Sequence, residues 1–153
     1  MKKAVKILLW TAFILYCLIL LYILFLSRAP MIWYSVPEFF IRFTNLTPLK
    51  TIFEYINRYS EGFKTLSVRN LGINLFLLAP IGFLLPCLFK KLRRFWKVTV
   101  TILITTILAE LLQGILRVGS VDIDDVIFNV LGGMLGYGIY KLPFINKALH
   151  RIF

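Results

Sequence analysis

The chain has 153 residues, of which 59% are hydrophobic and 16% aromatic, and its formal charge is +11. A mean hydropathy of +0.84 lies far above that of soluble domains and excludes a surface fully exposed to water. The basic residues fall between long apolar runs and not along one polar face, so they are expected to set membrane orientation rather than to bind nucleic acid.

Residues 7–26 carry no charge, and about 20 apolar residues at about 1.5 Å each cross a hydrocarbon core of about 30 Å. Lys2, Lys3 and Lys6 in front of this run resemble the start of a signal peptide. The run is too long for one, and no small-x-small cleavage site follows, so a retained anchor is expected. The second span is placed at 71–89, where Pro80, Gly82 and Pro86 predict a kink that neighbouring helices must accommodate. The third is placed at 98–116 and the fourth, a short one, at 123–142.

Orientation follows from the short loops. Lys90, Lys91, Arg93, Arg94 and Lys97 crowd the segment between the second and third spans, which is therefore assigned to the cytoplasm. The turn after the third span holds Asp122, Asp124 and Asp125 against the single base Arg117. With Lys141, Lys147 and Arg151 in the tail, both termini are expected inside and the 27–69 loop outside. In that loop Thr47 and Pro48 are suited to start a helix, with Leu49, Ile52, Phe53 and Ile56 on one face and Lys50, Glu54 and Arg58 on the other. The expectation is an all-α, polytopic membrane protein: one domain, 1–153, a bundle of four transmembrane helices with an amphipathic helix on the outer surface.

Polar groups inside membrane helices are costly and mark candidate sites. Asn70 and Asn74 lie one turn apart at the outer end of the second span. Glu110, Gln113 and Arg117 follow at i, i+3, i+7 on the third, and Asp122, Asp125 and Asn129 repeat that spacing on the fourth. Each set shares a helix face in the outer half of the membrane, which predicts a shared polar pocket opening outward. Glu110, the deepest charge, needs a partner such as Arg117 or an amide. The bland alternative is that these groups only tie helices together. Asp124 points elsewhere and is expected to cap the fourth helix.

Gly132 and Gly136 form a G-x-x-x-G, with Gly133 beside them, and together with Pro80 and Gly82 they are read as helix-packing positions; a dimer seam is the alternative use. Cys17 and Cys87 fall inside apolar runs, and the single histidine, His150, lies in the tail. Neither a metal centre nor a cofactor is expected from them.

Several of these residues carry a resemblance. Asn74 followed by Pro80 and Gly82, then Glu110-Leu-Leu-Gln113, then Asp122-Ile-Asp-Asp125-Val-Ile-Phe-Asn129-Val-Leu-Gly132-Gly133, together resemble the VanZ-like family. So does Asn45-Leu46-Thr47-Pro48 upstream. The sequence departs from the family pattern at Leu78, where members often carry Phe, and at Gly119, where many carry Arg. The resemblance implies a bacterial plasma-membrane protein, linked to resistance against lipid-tailed glycopeptides such as teicoplanin, that acts at the cell surface.

Three functions compete. The first is a non-enzymatic envelope factor whose outer pocket meets membrane lipids and a lipoglycopeptide or cell-wall lipid precursor. The second is an intramembrane enzyme in which Glu110, Asp122 and Asp125 hold a divalent cation and act on a phosphate-bearing cell-wall lipid; no recognisable nucleophile accompanies them. A transporter would need polar groups at the midplane, where this sequence is dry.

Overall fold

The computed structural model describes residues 2–50, 53 and 75–152. Within them the chain is mostly helical, in the order α1 (Lys2–Leu21), a π-helical turn (Tyr22–Leu26), α2 (Val36–Phe43), β1 (Thr44–Asn45), α3 (Ala79–Leu88), α4 (Phe95–Leu116), β2 (Val121–Asp122), α5 (Ile123–Lys141) and α6 (Pro143–Ile152). Two stretches, Lys2–Leu26 and Phe95–Leu116, are long and apolar enough to cross a membrane, and a shorter apolar helix runs over Leu75–Leu88.

Large apolar side chains stand outward on these helices, Leu8 at 67% exposed and Leu108 at 60%. Such surfaces require an apolar surrounding. The buried side chains come from the seams: Leu20 of α1, Leu85 and Cys87 of α3, Val98 and Ile102 of α4, Tyr137 and Tyr140 of α5. Trp10, Phe13 and Phe89 add an edge-to-face aromatic cluster between α1 and the end of α3. Tyr16 donates from its hydroxyl to the Leu77 carbonyl at 2.6 Å.

Glycine sets the approach of α5 to its neighbours. A Cβ on Gly132 would collide with the Leu75 carbonyl oxygen, one on Gly136 with the Ala79 carbonyl oxygen, one on Gly133 with the Ile102 side chain, and one on Gly82 with the Gly133 carbonyl oxygen. Backbones this close leave no room for a side chain, which is the use small residues serve between membrane helices.

The helical break near the prolines falls at Leu78, whose φ of -104° and ψ of 1° lie outside the helical region. Pro80 then occupies the first turn of α3, where its missing N–H costs nothing. Pro86 lies buried inside α3.

The 27–69 loop differs from expectation where it is described. Leu49 is left-handed, at φ 65°, so no helix runs through it from Pro48, although Lys50 and Phe53 are helical. The remainder of the expected 48–58 helix lies outside the described residues. A helix not expected, α2, stands earlier in the loop. Its signal was present: Ser35 and Glu38 form a capping box, with Pro37 in the first turn. Glu38 Oε2 accepts from the Ser35 N–H at 2.9 Å and from the Ser35 hydroxyl at 2.7 Å. Phe39 of α2 is fully buried.

Candidate functional site

The site is built where α4 ends and α5 begins. Arg117, in the left-handed region at φ 56°, closes α4 with its N–H on the Gln113 and Gly114 carbonyls, as an αL cap does. The chain turns back through Val118, whose N–H reaches the Gln113 carbonyl at 3.0 Å. It then runs as β2 beside β1, a parallel pair that matches Thr44 to Val121 and Asn45 to Asp122. Gly114 admits the Phe40 ring of α2 on one side and Val121 on the other, each so close that a Cβ would stand 2.7 Å away.

Glu110 supplies the acceptor at the centre. It is 6% exposed, and its Oε2 accepts from the backbone N–H of Asp122 at 3.0 Å. Of the two kinds of partner expected from the sequence, Arg117 or an amide, Arg117 is engaged elsewhere: its Nη1 donates to the Tyr34 carbonyl at 2.8 Å, and its own carbonyl accepts from the Met31 N–H at 2.9 Å. Arg117 thus fastens the segment around Met31 and Tyr34 rather than balancing the buried acid. Among the described residues, the charged groups close enough to act on Glu110 are the base Arg28 and the acids Asp122 and Asp125. Arg28 Nη1 lies 2.5 Å from where a Cβ on Gly119 would stand, so the guanidinium fills the space that this glycine vacates. Sequence reasoning missed Arg28 because it lies far from the motif in the chain.

Asp122 caps α5. Its Oδ1 accepts from the Asp124 N–H at 2.9 Å and from the Asn45 side-chain amide at 3.1 Å. The cap expected of Asp124 is therefore made by Asp122. Asp124 is 1% exposed and reaches across to the loop instead, where its Oδ1 accepts from the Leu49 N–H at 2.6 Å. A left-handed Leu49 is what turns that N–H toward the carboxylate. Asn45, read from the sequence only as part of a motif, proves to be the link from loop to helix, since its Oδ1 also accepts from the Thr47 N–H at 3.2 Å.

Of the other expected residues, Asn129 alone lines a cavity beside Glu110. Gln113 is buried and donates to the Leu24 carbonyl at 2.9 Å, within the π-helical turn. Asp125 is half-buried in the first turn of α5. Asn129 lines, with Glu110, an elongated apolar cavity of about 280 Å³ between α1, α4 and α5. Asp122 and Asn45 line a separate dish of about 250 Å³ with Arg42, Thr44, Lys50 and Ser120. Asn70 and Asn74 lie outside the described residues. Among the described residues no three or more of His, Cys, Asp and Glu are grouped to hold a metal ion.

Chemically, the arrangement offers acceptors and hydrogen-bonded carboxylates at helix ends, with cations at the rim. It suits binding and positioning. The comparisons with known proteins agree with the motif that built it. The chain is 31% identical over 117 residues to Protein VanZ of Enterococcus faecium, an alignment covering 76% of this chain and 63% of that protein. It thus spans under two thirds of the relative's length. No solved structure matches it. The VanZ/LLP1 family model matches residues 13–145, and the chain belongs to that family.

Proposed function

We propose that this chain is a multi-pass protein of the bacterial plasma membrane that lowers susceptibility to lipoglycopeptide antibiotics such as teicoplanin, by engaging the antibiotic or a cell-wall lipid precursor at the outer membrane surface. It crosses the membrane four times as a helix bundle, with both termini in the cytoplasm and the 27–69 loop outside, where its amphipathic part lies on the surface. Family membership supports the general role, and the two long apolar helices support the membrane setting.

The observation that carries the surface site is the bond from Asp122 N–H to Glu110 at 3.0 Å, because it joins the deepest acid to the strand pair that fixes the outer loop. The Arg42 and Lys50 dish above it offers cations to an anionic headgroup, and the buried carboxylates hold the dish in shape.

The test is teicoplanin and vancomycin susceptibility of a Gram-positive host expressing wild type, Glu110→Gln and Asp125→Asn at matched membrane levels. Selective teicoplanin resistance that is lost in the variants is the expected result. Unchanged susceptibility with wild type sinks the resistance role. Orientation is checked separately with membrane-impermeant thiol labelling of Ser120→Cys, expected to react from outside, and Lys91→Cys, expected to react only after lysis.

A further inference from the structure

The cavity shared by Glu110 and Asn129 has a composition unlike the dish above it. Its walls are Leu20 and Leu21 of α1, Leu24 and Phe25 of the π-helical turn, and Leu77 and Leu78 before α3. Thr105 and Thr106 also face it, but their hydroxyls donate to the Thr101 and Ile102 carbonyls at 2.8 Å. That leaves Glu110 and Asn129 as the other polar side chains of its lining. A dry apolar cavity of roughly 150 Å³ admits benzene, so about 280 Å³ accommodates a segment of hydrocarbon chain. Leu21 and Thr105, both exposed, mark an opening between α1 and α4 on the apolar side of the molecule.

Asn129 gives the cavity a chemical preference. It is 6% exposed, and its Oδ1 has no hydrogen-bond partner among the described residues. Buried acceptors are nearly always satisfied, and an orphan beside a cavity points to a donor that the cavity receives. Glu110 lines the same cavity. A chain without a donor leaves the Asn129 acceptor unmet.

We propose that this cavity binds the apolar chain of a membrane-borne amphiphile and that the donor of its head, an amide or hydroxyl, pairs with Asn129 Oδ1. The amphiphile enters sideways from the lipid, past Leu21. The inference rests on the membrane setting proposed above and is independent of the resistance role.

The experiment uses the full chain in phosphatidylcholine nanodiscs with a diazirine-bearing hexadecanamide, photolysed and located by peptide mass spectrometry. Label is expected on residues 17–25 and 105–109. Hexadecanamide is expected to compete about fivefold better than methyl hexadecanoate, the advantage of one neutral hydrogen bond. Asn129→Leu removes that preference, and Leu21→Trp, at an exposed position that leaves the fold intact, suppresses labelling by closing the mouth. Equal competition by the two compounds in wild type overturns the proposal, as does label spread over Leu15 and Leu18 that Leu21→Trp leaves unchanged. A wild type that labels as expected but alters no antibiotic susceptibility refutes the resistance role and upholds the cavity.

Discussion

Glu110 and Asp122 meet across the turn between α4 and α5, carboxylate oxygen to backbone N–H, at 3.0 Å, and both residues are buried. The N–H of Asp122 is buried in this bond, so its acceptor is structural whatever else it does. Glu110→Ala should destabilise the protein by about 1–3 kcal/mol, the cost of a buried unsatisfied donor, and Glu110→Gln by less because its carbonyl still accepts. Unfolding midpoints in detergent measure the difference. Equal losses in the two variants refute the role of this bond.

The glycines of α5 differ in what surrounds them. Gly136→Ala drives a methyl into the Ala79 carbonyl and should cost about 1–3 kcal/mol or more through backbone displacement. Nothing stands within 4 Å of a Cβ on Gly138, so Gly138→Ala should be stabilising by up to about 1 kcal/mol from helix propensity. Opposite signs in an unfolding titration are the expected outcome.

Asp124 holds the loop after β1 through the Leu49 N–H at 2.6 Å. Asp124→Ala should loosen the segment around residues 44–50 and speed its cleavage by an externally added protease, whereas Asp124→Asn retains an acceptor and should be cut more slowly than the alanine variant. Rates equal to wild type in Asp124→Ala would show that the strand pair alone holds the loop.

Glu38 lies outside the spanning segments, and hydrogen bonds from the Ser35 hydroxyl and then the Ser35 N–H hold its carboxyl below the usual carboxylate range. A depressed folded pKa means that the ionised form is favoured by folding. The contribution is therefore present above the ordinary carboxylate pKa and lost as pH falls through the lowered one. The N-terminal turn of α2 should fray in that acid window. Ser35→Ala should raise the Glu38 titration midpoint, read by NMR in micelles; an unmoved midpoint counts against the capping box.

The apolar runs made the helices legible: the stretches at 98–116 and 123–142 are helical over Phe95–Leu116 and Ile123–Lys141, and the first of these is long and apolar enough to cross a membrane. Charge-free length and hydropathy are local properties, readable residue by residue. Proline placed the break in the Leu75–Leu88 helix slightly late, because Pro80 is accommodated in a first turn and the distortion precedes it at Leu78. The partners of Glu110, Arg117 and Asp124 were not legible. Helical periodicity says which residues share a face, but these three bond to backbone groups in turns and loops, and such groups leave no mark in a side-chain pattern. Arg28 escaped for a related reason: only tertiary folding brings it beside Gly119.

Asn45 and Asp122 are separated by 77 positions along the chain, and the strand pair they anchor is parallel. During synthesis β1 leaves the ribosome long before β2 exists, so the pairing cannot form while the intervening helices are being inserted. Closing so long a loop carries an entropy cost that grows with the logarithm of its length, and a two-residue ladder returns little on its own. The clasp is thus a late event, made only after α4 and α5 stand side by side. A chain halted before residue 121 leaves β1 as an open edge, available to pair with another nascent copy.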